Sequence, residues 1–359
     1  MRPGKRGDLL VHEDEPFNAE PPAAALAAAA ITPADAFYVR SHGPVPTIDP
    51  SRFRLRVDGL VERPLELTLD ALRQGRFAVR EVVATLACAG NRRAGLAAVR
   101  PVPGELVWGS GAVSTARWRG VALADVLAAA GVRGGAAHVG FAAPDESAEA
   151  DPPQPFGGSI PLAKALGPEV LLAWELNGAP LAPDHGAPLR VLVPGYVGAR
   201  SVKWLERVEV RAEPWDGYFQ RTAYRLLRPE EEPGPDVGMA LGELALNADI
   251  LAPADGERVA AGRVDVRGYA IAGGARAVAR VDVSADGGRT WLAAALGDDL
   301  GPWAWRPWRL ALELAPGEHE LVVRAWDSAA ATQPEHAAPL WNPKGYVNTC
   351  WPRVRVRAA

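Results

Sequence analysis

Apolar and polar residues alternate along much of the chain from about residue 52, which is typical of half-buried strands. In residues 53–61 (FRLRVDGLV) this alternation predicts a strand, and Asp58-Gly59 offers a turn. Further strands are predicted over residues 81–86, 170–176, 189–193 and 202–210. Short helices are predicted over residues 68–73, with Thr68 as N-cap, and 123–130, ended by Gly131. The mixture predicts an α+β fold rather than a regular βαβ array.

The pattern changes after residue 227, where the stretch RPEEEPGPDVG (228–238) has the composition of a linker. Beyond it, strands follow one another at short spacing, and Ala285-Asp286-Gly287-Gly288 fits a hairpin turn. The predicted strands cover residues 263–268, 278–284, 308–314, 320–326 and 353–357. About 115 residues without a helix predict an all-β sandwich of immunoglobulin type.

The chain has 359 residues, which is too long for one ordinary core and indicates two domains. Residues 1–45 are rich in proline, alanine and charge and predict a mostly irregular N-terminal arm. We therefore expect a mixed α/β domain over 46–230, a linker over 231–244 and the β-sandwich over 245–359.

Composition narrows the classes of function. Hydrophobic residues make up 48% and charged residues 23%, the balance of a globular protein. The net charge of −4, from 39 basic and 43 acidic residues, does not indicate nucleic acid as a partner. No apolar run approaches the roughly 20 residues that span a membrane. Acidic residues 13–15 follow the basic N-terminus where an export segment would be apolar, so we expect a cytoplasmic protein; a processed, periplasmic chain is the alternative.

The two cysteines, Cys88 and Cys350, are too few for a disulfide framework. Cys88 lies in TLACAGNRRAG (85–95), at the end of a predicted strand. Adjacent guanidinium groups lower a thiol pKa and favour the thiolate, which ligates soft metals. Gly90 permits a tight turn, so that Arg93 can fold back towards the sulfur and meet an anion held there. A buried structural cysteine beside a surface arginine pair is the alternative, and we assign Cys350 to structure.

The CAGNRR motif resembles the sequence around the molybdenum-ligating cysteine of the sulfite oxidase family. Further segments resemble that family in the same order: residues 37–46, 108–123, 156–166, 174–205 and 341–356. The resemblance runs from about residue 30 to the C-terminus. It implies a molybdopterin-binding domain followed by a dimerisation domain, molybdenum–molybdopterin as cofactor, and a homodimer.

The resemblance also implies a set of site residues. The catalytic residues would be Cys88 as the metal ligand, Arg40 and Arg93 as anion-binding groups, Tyr224, Trp108 as lining of the substrate pocket, and Lys344. The residues that would bind the cofactor are Tyr38, Arg40, His42, Asp151, His185, Arg190, Arg200, Ser201 and Lys203. Two residues depart from the family pattern. Lys344 stands where relatives tend to carry arginine, and keeps the charge but loses the planar fork; Phe219 replaces a common tryptophan.

The activity implied is oxidation of sulfite to sulfate. The sequence has no C-x-x-C-H haem motif and no haem or flavin domain, so we expect an external electron acceptor such as a cytochrome or oxygen. Three alternatives stay open: nitrate reduction at the same centre, oxidation of another sulfur compound, and a non-catalytic scaffold that binds the cofactor or another protein.

Overall fold

The computed structural model describes residues 2–359 and gives the N-terminal arm more order than the sequence predicted. The arm contains strand β1 (Leu10–Glu13), strand β2 (Asn18–Glu20) and helix α1 (Ala23–Ala27). Most of the arm nevertheless lies outside regular elements, as the sequence predicted. The carboxylate of Glu20 is buried and accepts hydrogen bonds from the backbone amides of Gly109 (2.6 Å) and Gly111 (2.8 Å), which anchors the arm. Gly109 and Gly111 lie far from Glu20 along the chain, so no local sequence pattern predicts these hydrogen bonds.

The α/β region carries two five-stranded sheets that share a hydrophobic core. One sheet has the order β10-β9-β6-β5 with β11 beside β9, and the other has the order β4-β3-β12-β7-β8, in which β12 runs parallel to β3. The elements are β3 (Leu55–Gly59), β4 (Leu65–Leu67), α2 (Leu69–Arg73), β5 (Val79–Ala87), α3 (Arg93–Ala97), β6 (Val113–Ala122), α4 (Leu123–Ala130), β7 (His138–Ser147), β8 (Gln154–Pro161), α5 (Leu162–Ala165), β9 (Leu171–Leu176), β10 (Ala179–Pro180), β11 (Arg190–Leu192), β12 (Arg207–Arg211) and β13 (Arg225–Leu226). Short helical turns cover Pro183–His185, Gly198–Arg200 and Phe219–Ala223.

Local signals predicted several of these elements. The amide of Ala71 donates to the hydroxyl of Thr68 (3.0 Å), as expected of an N-cap. Helix α4 covers the predicted residues and ends at Gly131, whose φ is 73°. The predicted strand over 202–210 is wrong in its first half, since β12 begins at Arg207. Trp204 has a φ of 49°, and its indole donates to the carbonyl of Pro183 (2.9 Å), so a tertiary contact overrides the alternating pattern there.

The C-terminal region is built of strands, and no α-helix occurs among its described residues, 239–359. Its elements are β14 (Met239–Ala240), β15 (Asn247–Ala252), β16 (Arg258–Val259), β17 (Gly262–Ile271), β18 (Val278–Ser284), β19 (Leu292–Ala293), β20 (Ala295–Leu296), β21 (Arg306–Leu314), β22 (Gly317–Asp327) and β23 (Arg353–Ala358), with a 3₁₀ turn at Ala338–Leu340. A four-stranded sheet, β15-β17-β21-β20, and a five-stranded sheet, β16-β23-β22-β18-β19, share a second core. The five strands predicted here are confirmed.

The C-terminal region holds the loop that follows β5. Arg92 of that loop donates to the side-chain oxygen of Asn247 (2.8 Å) and lies 3.5 Å from the carboxylate of Asp249. The amide group of Asn348 donates back to the carbonyl of Arg92 (2.7 Å). All four side chains are buried or partly buried, so the contacts fix the backbone of the loop that carries Cys88. Across residues 2–359, no helix is both long and apolar enough to cross a membrane.

Candidate active site

A pocket opens at the end of β5, where Cys88 emerges from the sheet. Its volume is about 660 Å³, including the space open to solvent at its mouth. Nine of the site residues predicted from the sequence line it: Tyr38, Arg40, His42, Cys88, His185, Arg190, Ser201, Lys203 and Tyr224. The fold thus brings together the thiol, two cationic groups from the 190–203 segment and the segment around Arg40.

The Cys88 sulfur is partly buried and accepts a hydrogen bond from the backbone amide of Gly90 (3.4 Å). Burial raises the pKa of the Cys88 thiol, and the guanidinium groups of Arg93 and Arg40 act in the opposite direction without offsetting it. The guanidinium groups thus lower the thiol pKa in the direction that the sequence predicted, but desolvation is the larger effect. A coordinating metal deprotonates a thiol outright, so the site suits a metal ligand better than a free thiolate.

A hydrogen-bonded chain connects the pocket to solvent. The Nε2 atom of His42 lies 2.6 Å from the hydroxyl of Tyr224, and its Nδ1 atom lies 2.5 Å from the carboxylate of Glu149. Burial lowers the pKa of His42 to about 4, helped by the Arg40 charge and opposed by Glu149. The imidazole is therefore neutral near pH 7, and its Nδ1 atom lies between the carboxylate of Glu149 and Nη2 of Arg40 (2.9 Å). The tautomer with its proton on Nδ1 donates to Glu149 and accepts from Tyr224. Glu149 lies in the turn after β7 and was not predicted from the sequence.

The opposite end of the pocket contains two buried polar atoms without a hydrogen-bond partner, the Nε of Arg190 and one carboxylate oxygen of Asp145. The other nitrogens of Arg190 donate to the carbonyls of His185 (3.1 Å) and Ser201 (2.7 Å). Burial lowers the pKa of Arg190 to about 10 and also lowers that of Lys203, while it raises the pKa of Asp145. Such groups cost free energy unless a ligand pairs with them. A ligand with an anionic group and a polar ring edge fits this end.

The N-terminal arm reaches the same end. The Nζ of Lys5 lies 2.7 Å from Nε2 of His185 and donates to the carbonyl of Phe37 (2.7 Å). Arg2 forms an ion pair with Asp184. Burial lowers the pKa of His185, so its neutral Nε2 accepts from Lys5. Sequence reasoning missed Lys5, Asp145 and Asp184, because only the folded chain places them beside the pocket.

A second cluster lies behind Tyr224. The buried guanidinium of Arg93 donates to the carbonyl of Leu106 (2.7 Å), and its Nη2 lies 3.1 Å from the carboxylate of Glu105. Lys344 forms an ion pair with the other oxygen of the same carboxylate. Arg93 also lies 5.0 Å from the ring of Tyr346, and that ring stacks on Tyr224 with 5.7 Å between centroids. Arg93 and Lys344 therefore do not line the pocket itself but adjoin its wall through the two tyrosines.

Three predicted residues are placed elsewhere. Trp108 is fully buried against the ring of His12 (4.6 Å) and does not line the pocket, because its large indole is taken up by the core. Asp151 is exposed in the loop between β7 and β8, and Asp145 of β7 faces the pocket instead. Arg200 is buried, and its guanidinium donates to the carbonyl of Leu241 (3.0 and 2.7 Å). That contact directs Arg200 into the linker rather than into the pocket.

Gly90→Ala is expected to raise the Michaelis constant for the substrate anion several-fold. A methyl group added to Gly90 would lie 2.6 Å from Cζ of Arg93, so the guanidinium must move away from Leu106 and Glu105. The backbone of Gly90 lies outside the left-handed region, so alanine adds no backbone strain and the effect comes from Arg93. Steady-state kinetics on the two proteins measures it.

The matched control is Gly134→Ala, since a methyl group at Gly134 meets nothing within 4 Å and its φ is not positive. It is expected to leave the kinetics unchanged. Equal Michaelis constants for wild type and Gly90→Ala would mean that the position of Arg93 does not matter to substrate binding.

Comparison with known proteins assigns both regions to a class. Residues 42–219 match the family described as oxidoreductase molybdopterin binding domain, and residues 239–359 match the Mo-co oxidoreductase dimerisation domain. The solved structure of the sulfane dehydrogenase SoxCD from Paracoccus pantotrophus matches with a TM-score of 0.82 and 27% identity, over 95% of this chain and 84% of that chain. These matches define a molybdenum-cofactor oxidoreductase with a sulfite oxidase-type fold.

Two relatives specify the family. Sulfite oxidase from Gallus gallus is 46% identical over 98% of this chain and 78% of that protein. Sulfite oxidase from Arabidopsis thaliana is 38% identical over 99% of this chain and 96% of that protein. The chain belongs to the sulfite oxidase family, and the cofactor that the CAGNRR motif implied, molybdenum–molybdopterin, is confirmed at the level of the family.

Proposed function

We propose that this chain oxidises sulfite to sulfate, passing two electrons to an external acceptor. The observation that carries the proposal is the pocket in which Cys88 meets the Tyr224–His42–Glu149 chain and the unpaired donor of Arg190. When bound, the molybdenum–molybdopterin cofactor supplies the oxygen-transfer and two-electron chemistry.

The residues present fit this cofactor. Cys88 would be the soft ligand that molybdenum needs. The unpaired Nε of Arg190 and the cation of Lys203 suit the phosphate of molybdopterin, and the unpaired oxygen of Asp145 suits an N–H group on the pterin ring. Tyr38, His185 and Ser201 complete the lining, while Asp151 and Arg200 have no part in this arrangement.

Three cations would attract the substrate anion: Arg40 from the pocket lining, and Arg93 and Lys344 through their charge from behind the two tyrosines. Their charge favours an oxyanion and disfavours neutral substrates. Tyr224 would donate a hydrogen bond to the bound anion, since its hydroxyl lies in the pocket lining. The geometry therefore supports binding of a small oxyanion near the Cys88 sulfur.

The hydrogen-bonded groups Tyr224, His42 and Glu149 can carry protons from the pocket to solvent. Oxidation of sulfite consumes one water and releases two protons and two electrons for each sulfate formed. Tyr224 can pass a proton to Nε2 of His42 while Nδ1 releases one to Glu149. The side chain of Glu149 is 42% exposed, so the proton reaches solvent there.

We also propose a cytoplasmic homodimer that uses a separate cytochrome or oxygen as acceptor. The match of residues 239–359 to a dimerisation domain supports the dimer, and the two facing sheets support a sandwich of immunoglobulin type. Light scattering of the purified protein gives the oligomeric state, and a survey of acceptors with sulfite identifies the oxidant.

Two assays on the purified, molybdenum-loaded protein test the reaction. Sulfite with ferricyanide is expected to turn over at least about tenfold faster than nitrate with a reduced viologen. The proposed reaction oxidises its substrate, and ferricyanide accepts the electrons. Faster nitrate reduction would favour the reductase alternative. A loaded protein inert towards sulfite but active on a sulfane compound would favour the activity named for the SoxCD structure. A protein purified without molybdenum and pterin would favour a protein-interaction scaffold.

A further inference from the structure

Each cation proposed to bind the substrate is already paired with a carboxylate. Arg40 lies 3.3 Å from Glu149. Arg93 and Lys344 share the two oxygens of Glu105. Three cations and two carboxylates leave the anion site with a net charge of about +1 rather than +3.

The two carboxylates differ in their exposure to water. The side chain of Glu149 is 42% exposed, whereas that of Glu105 is only 13% exposed. Solvent screens the first charge, but a buried charge acts over several ångströms with much less screening. Glu105 is therefore the less screened of the two carboxylates.

The charge of Glu105 reaches the groups around the pocket. Burial is the main cause of the raised pKa of Tyr346, and Glu105 is the next largest. Burial also raises the pKa of Tyr224, and Glu105 adds to it. A field that disfavours ionised tyrosines also disfavours an oxyanion bound beside them.

Glu105 pairs with the remaining nitrogens of the two cations behind the tyrosines. The Nε of Arg93 donates to the carbonyls of Lys344 (3.0 Å) and Gly345 (3.3 Å), and its Nη1 donates to Leu106. The Nη2 of Arg93 and the Nζ of Lys344 both face Glu105. The carboxylate therefore offsets part of the positive charge that these two nitrogens would otherwise present to an anion in the pocket.

We propose that Glu105 is a specificity-determining residue that offsets the positive charge of Arg93 and Lys344 and so weakens the binding of both substrate and product. The inference rests on the proposed function only in taking a small oxyanion as the substrate class. A dianionic product leaves a site of low net charge faster than a site with three unopposed cations, because tighter binding lengthens the residence time. Glu105 thus lowers the affinity of the site for anions and speeds release of the product.

A purely structural role for Glu105 predicts the opposite sign. If the carboxylate only orders Arg93 and Lys344, its removal lets both side chains move and weakens anion binding. The sign of the change in affinity therefore separates the two roles.

The test uses Glu105→Gln in the molybdenum-loaded protein, with sulfate as an unreactive probe. The dissociation constant of sulfate, from calorimetry, and the Michaelis constant for sulfite are both expected to fall about tenfold or more when one buried charge is removed. The turnover number is expected to stay level or fall, because product release slows. Glu105→Ala carries the same expectation and serves as the second variant if the glutamine protein fails to fold.

Two controls accompany it. Glu105→Asp keeps the charge and is expected to bind sulfate much as wild type does, and Glu81→Gln removes an exposed carboxylate and is expected to change nothing. Unchanged or weaker sulfate binding in both charge-removing variants overturns the inference, as does the absence of sulfate binding in every protein. Wild type that binds sulfate but does not oxidise sulfite would refute the proposed function and leave the Glu105 result to be judged on sulfate alone.

Discussion

Cys88→Ser is expected to lower sulfite oxidation by about three orders of magnitude, equivalent to about 4 kcal/mol of activation free energy. Serine keeps the shape of the side chain but replaces a soft sulfur ligand by a hard and much less acidic hydroxyl. The raised pKa of the free thiol does not weaken this expectation, since coordination to a metal removes the proton. The turnover number with ferricyanide, measured on protein of known molybdenum content, gives the result.

The residues proposed to hold the pterin are independent of Cys88. Arg190, Lys203 and Asp145 approach the pocket from β11, the segment after it, and β7. The serine variant is therefore expected to keep pterin while it loses turnover. Cys350→Ser is the matched control: Cys350 is buried outside the pocket lining and is expected to keep full activity. Activity of Cys88→Ser near that of wild type would remove Cys88 from the metal site.

Arg93→Gln is expected to raise the Michaelis constant for sulfite far more than tenfold, at a cost of about 2–5 kcal/mol in anion binding. Two effects add. The variant loses a cation next to the anion, and it leaves the Glu105 carboxylate opposed only by Lys344. Steady-state kinetics at constant ionic strength measures the change, because screening weakens the contribution of charges.

The exposed Arg54 provides the control, since its nearest carboxylate partner lies 3.9 Å away and its side chain is 45% exposed. Arg54→Gln is expected to leave the Michaelis constant unchanged. An unchanged constant in Arg93→Gln would exclude Arg93 from substrate binding. Opposite shifts in Arg93→Gln and Glu105→Gln would show that charge, rather than packing, sets the affinity.

Helix caps, helix ends and strands could be predicted from the sequence because they depend on neighbours along the chain. The cap at Thr68 and the end of α4 at Gly131 follow from hydrogen bonds within a few residues. Strand β18 was predicted to the residue from its alternating pattern. The order of motifs around Cys88 identified the family before any contact was known.

Predictions that depended on the direction of a side chain succeeded less evenly. The resemblance placed Trp108, Asp151 and Arg200 at the site. In the structure Trp108 lies in the core, Asp151 on the surface and Arg200 against the linker. A motif fixes the position of a residue along the chain, whereas its direction depends on what packs around it.

The amino-acid sequence was enough to predict the two-region organisation and most of the strands. It also predicted that Cys88, Arg40, His42 and Tyr224 belong to one molybdenum-cofactor site. The folded structure was needed to show which carboxylates face these groups: Glu149 lies 107 positions from His42 along the chain, and Lys344 and Glu105 belong to different regions. It also decided that burial raises the pKa of the Cys88 thiol. The difference arises because the hydrogen bonds of caps and turns join residues close together along the chain. Desolvation and charge pairing depend instead on every segment that packs around a group.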